Sequence, residues 1–284
     1  MKTLFFGAGP LGLLYAYRLH KSAADITVLA RGEKYELLKA GKLSLVNGFT
    51  DERAVPGFKV VDHLKEEDEY DLVVVLVRKN KIASVLGALK PCTKMKNVLF
   101  MGNNVLGFDT YFSALPREKV LFGFPGAGGG WEENAIRYVD SESPGAKRMP
   151  VRIGEADGVE RERTRKIGSL FENAGVPVEV VTDIEGWLKY HAAFVIPICL
   201  AIHRHNGDLK ALVADQESLR LIVRAGKECG NVLRALGYTK RQPFKFNLFY
   251  WLPERITAKI FRKMLASRYA EVAIAMHAGA SRDE

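Results

Sequence analysis

The sequence lacks the features of a membrane protein or of a disulfide-bonded one. It has no run of about 18 uncharged apolar residues, so no transmembrane helix is predicted. The start of the chain, Met1–Phe6, leads straight into a glycine turn, without the apolar region and cleavage site of a signal peptide. The three cysteines, Cys92, Cys199 and Cys229, are too few and too widely spaced for a disulfide framework or a pair of metal ligands. We therefore expect no membrane partner and no metal ion, and a cytoplasmic protein with reduced thiols.

The excess of positive charge does not by itself predict a nucleic-acid partner. The formal net charge is +9, and a positive field attracts anions in general. The basic residues are scattered, and the one cluster, between Lys240 and Arg268, has the spacing of helices rather than of a single patch. We therefore expect no nucleic acid, and we expect the field to attract an anionic cofactor and an anionic small-molecule substrate.

The N-terminal half alternates short apolar runs with amphipathic stretches, which is typical of a parallel α/β sheet. The predicted strands are Leu4–Phe6, Ile26–Leu29, Asp71–Val77, Val98–Met101 and Val120–Phe124, with a helix over Gly9–His20. Continuous apolar runs of this kind indicate strands that are covered on both faces.

This regular pattern ends at the glycine-rich segment Gly126–Gly130. Beyond that segment, Val151–Ile153 and Val178–Val181 predict two strands of a different, antiparallel annex. A helix is predicted between them, over Arg161–Ala174. Gly175 and Pro177 follow it, and a glycine and then a proline commonly mark the end of a helix.

From Ile184 onward the sequence predicts helices only. They cover Trp187–His203, Asp215–Leu236 and a segment from Pro253 to about Ala278. A chain of 284 residues is also longer than one hydrophobic core usually supports. We therefore predict an α/β domain over residues 1–183 and an all-helical domain over residues 184–284.

The segment Gly7-Ala8-Gly9-Pro10-Leu11-Gly12 is a GxGxxG between a predicted strand and a predicted helix. In that context Gly7 permits the tight turn, Gly9 leaves room for a pyrophosphate, and Gly12 lets helix and strand pack closely. The helix start, Pro10-Leu11, then presents free N–H groups to the phosphates. The pattern predicts a dinucleotide-binding site.

Arg31 occupies the position that distinguishes NADP from NAD. A site for NAD usually has Asp or Glu at the end of the second strand, where it accepts hydrogen bonds from the ribose 2′-hydroxyl. Here that strand ends Val28-Leu29-Ala30-Arg31, and a guanidinium cannot accept a hydrogen bond but pairs well with a phosphate. The sequence therefore favours NADP(H), with Lys34 as a second cation. The alternative is that Arg31 is an ordinary surface residue.

With these motifs in order, the chain resembles ketopantoate reductase, also called 2-dehydropantoate 2-reductase. The resemblance rests on GAGPLG, on the strand end VLAR, on Ile153–Gly158 (IGEADG) and on Asn173–Lys189 (NAGVPVEVVTDIEGWLK). It implies a Rossmann-type parallel-sheet domain followed by an all-helical C-terminal domain that serves substrate binding and dimerisation. It also implies NADPH-dependent reduction of ketopantoate to pantoate, in pantothenate biosynthesis, with a homodimer as one arrangement.

The resemblance assigns the catalytic lysine to Lys189, two residues after Trp187, and a substrate-binding acid to Glu271. The apolar run Ala192–Ile196 follows Lys189, and apolar surroundings would lower the pKa of its ammonium. Such a lysine can donate a proton to a carbonyl oxygen as hydride arrives. The alternatives are a lysine that extends to solvent and a solvated helical glutamate.

Two further residues follow predicted strands at the edge where ligands bind in open α/β sheets. Asn103 matches the asparagine of the family that lies near cofactor and substrate, although the neighbouring Asn104 leaves this assignment open. Arg78 stands where the family usually has a lysine, and Lys79 follows it. We expect Arg78 and Asn103 to bind the cofactor, and Asn103 also the substrate.

The substrate side departs from the family pattern at three positions. Ala193 and Pro197 replace asparagines that orient the substrate, and Lys259 replaces a serine that binds its carboxylate. The ammonium of Lys259 can still bind a carboxylate, although with another geometry, so we expect Lys259 to bind the substrate. Loss of hydrogen-bonding groups relaxes selection for the ligand that needs them. The expected function is reduction of a 2-oxo acid, with two alternatives: a bulkier, more apolar 2-oxo substrate, or a non-catalytic NADP(H)-binding or redox-sensing protein.

Overall fold

The computed structural model describes residues 1–144, 149–239 and 244–276. Its internal contacts divide the chain into two compact units. The first comprises Met1–Gly102 and Leu106–Ile184, and the second comprises Asn103–Val105 and Glu185–Glu284. Each unit has its own hydrophobic core.

The first unit is a mixed α/β structure. Its strands are β1 (Thr3–Phe6), β2 (Ile26–Leu29), β3 (Ser44–Asn47), β4 (Arg53–Ala54), β5 (Lys59–Val61), β6 (Leu72–Val75), β7 (Val98–Met101), β8 (Val120–Phe124), β9 (Gly128–Glu132), β10 (Ala135–Val139), β11 (Val151–Gly154) and β12 (Val178–Val180). Its helices are α1 (Pro10–Lys21), α2 (Glu33–Lys39), α3 (Ile82–Leu89), α4 (Asp109–Phe112) and α5 (Glu162–Glu172).

The main sheet has eight strands in the order β12-β11-β8-β7-β6-β1-β2-β5. Every neighbouring pair is parallel except β8 and β11, which are antiparallel. The central strands β1, β2, β6 and β7 are buried along their whole length, as their continuous apolar sequences predict. The predicted parallel-sheet fold is confirmed.

The predicted antiparallel annex is wrong. The strands predicted at Val151–Ile153 and Val178–Val181 are β11 and β12, and they extend the main sheet beyond β8. β11 and β12 are parallel to each other, and only the pairing of β11 with β8 is antiparallel. Pairing with distant segments decides which sheet these strands join. Their short apolar sequences do not indicate the pairing partners.

A second sheet, in the order β4-β3-β10-β9, was not predicted. Its strand β9 begins within the glycine segment that was expected to end the regular structure. Glycine suits this position because a Cβ on Gly129 would lie 2.5 Å from the carbonyl oxygen of Arg137 on the paired strand. Helix α1 packs against this sheet as well as against β1 and β2.

Two buried ionic contacts hold segments of the first unit together. Arg18 on α1 is 9% exposed, and its Nε donates to Asp140 Oδ2 at 2.9 Å across the end of β10. Glu155, which follows β11 and is 3% exposed, pairs with Arg163 and accepts a 2.7 Å hydrogen bond from the hydroxyl of Thr164. The IGEADG segment is therefore held by charge-assisted bonds to α5.

The second unit is helical. Its helices are α6 (Ile184–Arg204), α7 (Leu209–Ala214), α8 (Gln216–Ala235), α9 (Leu248–Trp251), α10 (Glu254–Leu265) and α11 (Arg268–Ala270), followed by a π-helical turn over Glu271–Ala275. No helix among the described residues is long and apolar enough to span a membrane.

The single helix that was predicted from Pro253 onward is interrupted. It ends at Leu265, and the hydroxyl of Ser267 then accepts from the backbone N–H of Ala270 and begins α11. Serine favours such a cap because its oxygen satisfies an N–H that has no partner in the helix. The predicted end at Ala278 lies outside the described residues.

Candidate functional site

The glycine turn between β1 and α1 is tightly packed on one side and open on the other. Gly7 has a φ of +120°, which L side chains rarely adopt, and a Cβ there would lie 2.8 Å from the carbonyl oxygen of Leu76. A Cβ on Gly12 would lie 2.3 Å from the carbonyl oxygen of Gly7. In contrast, a Cβ on Gly9 would meet nothing closer than 4.0 Å. Gly7 and Gly12 therefore serve the fold, and Gly9 keeps a space open in front of α1.

Helix α1 begins at that open space with its backbone donors unsatisfied. Its N-cap residue is Gly9, which offers no side-chain cap, and Pro10 is the first helical residue. The first turn contains no acidic side chain. The N–H groups of Leu11 and Gly12 have no partner among the described residues, since the first helical bond is from Leu13 to Gly9 at 3.0 Å. Free N–H groups and the positive helix end fit the diphosphate of a dinucleotide.

Arg31 and Lys34 lie beyond the carboxyl end of β2, the neighbour of β1. Arg31 is exposed and makes no hydrogen bond or ion pair with any described residue. Lys34, in the first turn of α2, places its Nζ 4.5 Å from the centre of the Trp131 ring. A cation over an aromatic face is held in place without a counter-charge. Arg31 and Lys34 are thus available for an anionic group.

Arg78 and Lys79 follow β6, on the other side of β1. Arg78 is exposed and precedes a short 3₁₀ turn over Lys79–Lys81. Lys79 was not singled out as a site residue, yet its Nζ donates to the hydroxyl of Tyr111 at 3.1 Å. Burial lowers the pKa of Lys79 and raises the pKa of Tyr111 to about 12. The signal in the sequence that could have indicated Lys79 is the run Arg78–Lys81, in which three of four residues are basic.

The two asparagines after β7 differ in exposure. Asn103 is exposed, whereas Asn104 is 4% exposed. Only Asn103 therefore presents its side-chain amide to solvent, which favours it as the residue for a ligand.

In the second unit, Lys189 lies on α6 with two polar partners. Its Nζ donates to Glu185 Oε1, one helical turn earlier, at 2.7 Å, and also to the hydroxyl of Tyr238. That hydroxyl lies 3.0 Å from the same carboxylate oxygen, to which it donates. The Lys189 side chain is 12% exposed, so the ammonium is held in a partly buried polar cluster. Tyr238 was not predicted to be part of this site.

The expectation of a lowered pKa for Lys189 is wrong. Burial by itself lowers the pKa, but the hydrogen bonds to Glu185 and Tyr238 and the negative charge of Glu185 outweigh it, and the pKa is raised above the ordinary value of a lysine. The sequence shows the apolar residues that follow Lys189, but not that its ammonium lies beside a carboxylate and a phenol. Lys189 is therefore an ammonium at neutral pH.

The other predicted substrate-binding residues of the second unit, Glu271 and Lys259, make no bond to the Lys189 cluster among the described residues. Glu271 is exposed, pairs with Arg268 at 2.7 Å, and begins the π-helical turn. Lys259 is exposed on α10. π-Helical turns are rare and are found frequently at functional sites, which favours Glu271 as a candidate site residue.

The two residues that replace the asparagines of the family are buried. Ala193 is 6% exposed and belongs to the hydrophobic core of the helical unit, and Pro197 is buried within α6. In this chain both positions are thus occupied by residues that pack in the interior of the helical unit. No group of three or more His, Cys, Asp or Glu residues that could hold a metal ion occurs among the residues described.

Comparison with known proteins connects this geometry to a family. The sequence pattern of the family described as "Ketopantoate reductase PanE/ApbA" matches residues 3–143, which include the glycine turn, Arg31, Arg78 and Asn103. Through this region the chain belongs to the ketopantoate reductase family of oxidoreductases. The resemblance seen in the sequence is thereby confirmed.

Relatives of this family extend the similarity over most of the chain. An uncharacterized oxidoreductase, YkpB, from Bacillus subtilis (strain 168) is 26% identical over 242 residues, or 84% of this chain and 76% of that protein. A 2-dehydropantoate 2-reductase from Listeria monocytogenes is 24% identical over 227 residues, or 79% of this chain and 74% of that protein. The structure of a dimeric ketopantoate reductase from Staphylococcus aureus has a TM-score of 0.66 at 14% identity, covering 98% of this chain and 84% of its own. The fold is therefore that of ketopantoate reductases.

Proposed function

We propose that the protein is an NADPH-dependent reductase of a 2-oxo acid, similar in reaction to 2-dehydropantoate 2-reductase. The observation that carries this proposal is the start of α1. There Gly9 keeps a space open in front of two unsatisfied N–H groups, in a chain of the ketopantoate reductase family. These features support a bound dinucleotide phosphate rather than a glycine turn that serves packing alone.

The preference for NADPH rests on Arg31. Its guanidinium is exposed and unpaired among the described residues, and it follows the second strand of the βαβ unit. A 2′-phosphate offers it two charge-assisted hydrogen bonds, whereas a 2′-hydroxyl does not. Lys34 adds a second cation. NADPH, when bound, supplies the hydride.

The chain's own residues supply the proton and orient the substrate. The ammonium of Lys189 stabilises the negative charge that develops on the carbonyl oxygen and donates a proton to it. Glu271 positions the substrate. Arg78, Asn103 or Lys259 binds the substrate carboxylate or the nicotinamide end of the cofactor.

The substrate class follows from what the chain lacks beside Lys189. With Ala193 and Pro197 buried in place of two asparagines, two amides that would select a hydroxylated substrate are missing. A bulkier and more apolar 2-oxo acid than ketopantoate fits this loss. We also propose a homodimer, in line with the dimeric relative from Staphylococcus aureus.

Two measurements test the proposal. Equilibrium titration monitored by nicotinamide fluorescence compares NADPH with NADH, and tighter binding of NADH would refute the cofactor assignment. NADPH oxidation is then followed with ketopantoate and with a series of larger 2-oxo acids. Turnover of at least one acid is expected, together with a loss of at least ~100-fold in kcat for Lys189→Ala at unchanged NADPH affinity. NADPH binding without turnover of any acid would instead identify a non-catalytic NADP(H)-binding protein.

A further inference from the structure

Tyr238 is brought to Lys189 by the way helix α8 ends. The helix is followed by Gly237, which has a φ of +85°, and the backbone N–H of Tyr238 bonds to the carbonyl oxygen of Leu233 at 3.0 Å. This is the hydrogen-bond pattern of a glycine-terminated helix. The carbonyl oxygen of Tyr238 also accepts a hydrogen bond from the hydroxyl of the buried Tyr190. Both the backbone and the phenol of Tyr238 are thus fixed relative to α6.

We propose that Tyr238 is a positioning residue for Lys189, so that Tyr238 and Glu185 together hold the ammonium protonated and in a fixed direction. The proposal deepens the function proposed above and rests on it where it concerns catalysis. Tyr238 is 49 residues from Lys189 in the sequence, in a segment whose sequence predicts no role in the site.

The hydrogen bonds of the phenol have only one consistent arrangement. A tyrosine hydroxyl has a single proton, and Glu185 as a carboxylate can only accept. The hydroxyl therefore donates to Glu185 Oε1, at 3.0 Å, and turns a lone pair toward the Lys189 ammonium. The ammonium also lies 4.1 Å from the centre of the Tyr238 ring, which adds attraction to the aromatic face.

This arrangement leaves one donor for the substrate. An ammonium has three N–H groups, and two of them are directed at Glu185 and Tyr238. The third has no hydrogen-bond partner among the described residues and can donate to a carbonyl oxygen. When the proton moves, the Nζ–H bond breaks and an O–H bond forms on the reduced substrate. Lys189 is left as a neutral amine, which regains a proton from water.

The charge state of Lys189 depends on few neighbours. Among the described residues, the titratable groups that act on its ammonium are Glu185 on its own helix and Tyr238 after α8. The hydroxyl of Tyr190 is directed to the carbonyl of Tyr238, and the ring of His191 stacks on Trp187 with centres 5.0 Å apart. Removal of the Tyr238 hydroxyl therefore removes one of two groups that stabilise the charged form, and the pKa of Lys189 should fall.

The test compares Tyr238→Phe with the wild-type chain and with Tyr250→Phe. Tyr250 is a matched control, because its phenol bonds to the Lys227 carbonyl and to Asn231, each at 3.1 Å, and not to Lys189. Competitive acetylation at pH 9, analysed by peptide mass spectrometry, measures the neutral fraction of Lys189 relative to the surface residue Lys166. A lost hydrogen bond of ordinary strength should raise Lys189 labelling roughly three- to tenfold in Tyr238→Phe only. Equal labelling in the three proteins would overturn the proposal.

The catalytic part is tested by the pH profile of kcat for NADPH-dependent reduction. In Tyr238→Phe we expect kcat to fall about tenfold at neutral pH and its alkaline limb to move to lower pH, with NADPH affinity unchanged. Unchanged kcat beside increased labelling would refute the positioning role. If the wild-type chain reduces no 2-oxo acid, the proposed function fails, and the labelling still decides whether Tyr238 controls Lys189.

Glu185→Gln provides a second variant in case Tyr238→Phe does not fold. It removes the negative charge beside Lys189 and replaces the carboxylate that accepts from Tyr238 with a neutral amide, so labelling of Lys189 should rise by more than in Tyr238→Phe. Lower or unchanged labelling in Glu185→Gln would contradict the cluster as the source of the raised pKa. Far-UV circular dichroism establishes that each variant is folded.

Discussion

Replacing Gly9 and Gly12 with alanine, one at a time, separates binding from packing within the glycine turn. Both residues belong to the same GxGxxG, three positions apart, and both changes add only one methyl group. The space around the added Cβ differs, because Gly12 faces the backbone of Gly7 and Gly9 faces an opening. We expect Gly12→Ala to destabilise the fold and Gly9→Ala to weaken NADPH binding.

The cost at Gly12 follows from a clash that the backbone cannot easily relieve. The new Cβ would lie 2.3 Å from the carbonyl oxygen of Gly7, so this oxygen must move by most of an ångström. Gly7 itself has little room, since its own Cβ position is 2.8 Å from the carbonyl oxygen of Leu76. Overpacking of this kind costs about 3 kcal/mol, which corresponds to a fall in Tm of roughly 6–12 °C.

The expected effect at Gly9 is on the ligand. Its φ of −80° and ψ of 171° suit alanine, and the nearest described atom to the added methyl group, the carbonyl oxygen of Leu76, is 4.0 Å away, so no clash results. The loss of N-cap preference and the gain from a less flexible unfolded chain are each below about 1 kcal/mol and opposite in sign. A methyl group in the path of a diphosphate should weaken binding by about 2 kcal/mol or more, which is roughly 30-fold in Kd.

Differential scanning calorimetry and fluorescence titration with NADPH measure the two effects on the same preparations. The informative result is the contrast between the variants. If Gly9→Ala bound NADPH as tightly as the wild-type chain, the diphosphate would not approach α1 at Gly9. If Gly9→Ala lost as much stability as Gly12→Ala, the distinction drawn from their surroundings would be incorrect.

Three further outcomes are expected. Arg31→Ala should weaken NADPH binding at least ~10-fold and leave NADH binding unchanged in fluorescence titrations, because only the 2′-phosphate needs the guanidinium; an equal loss for both cofactors would contradict this. Glu155→Gln should lower the free energy of unfolding in urea by about 3 kcal/mol, since it leaves Arg163 partly buried without its charge partner, whereas the control Glu162→Gln, at an exposed ion pair, should leave this free energy nearly unchanged. In the reduction direction, kcat should stay constant with rising pH until the raised pKa of Lys189 is approached and then fall, because only the ammonium donates a proton; a fall beginning near pH 7 would indicate another acid.

The sequence predicted the central strands of the first unit and its glycine turn well because the features that indicate them are local. The GxGxxG spacing lies within a single strand–turn–helix, and the strands β2, β7 and β8 have the predicted bounds. Buried parallel strands are short and continuously apolar, so their sequences alone indicate them.

The errors in the strands concern pairing between residues far apart in the chain. β11 and β12 are three to four residues long, and their pairing partners decide the sheet to which they belong. β9 contains three glycines, which are disfavoured in strands, and it forms because the paired strand approaches closely. The pKa of Lys189 was predicted in the wrong direction because its ammonium bonds to Glu185, one helical turn earlier, and to Tyr238, which follows α8, whereas the prediction rested on the apolar residues after Lys189.

The second sheet has a consequence for how the chain is made. Its strands β3 and β10 pair in parallel, with Ser44 opposite Ala135 and Asn47 opposite Tyr138. Roughly 90 residues separate these partners, so at ordinary rates of translation β3 leaves the ribosome about 5–20 s before β10 can cover it. During that interval one edge of β3 has only solvent or other chains to bind. Nascent chains that end before Ala135 should therefore depend on chaperones and aggregate readily, whereas chains that extend past Asp140 should not.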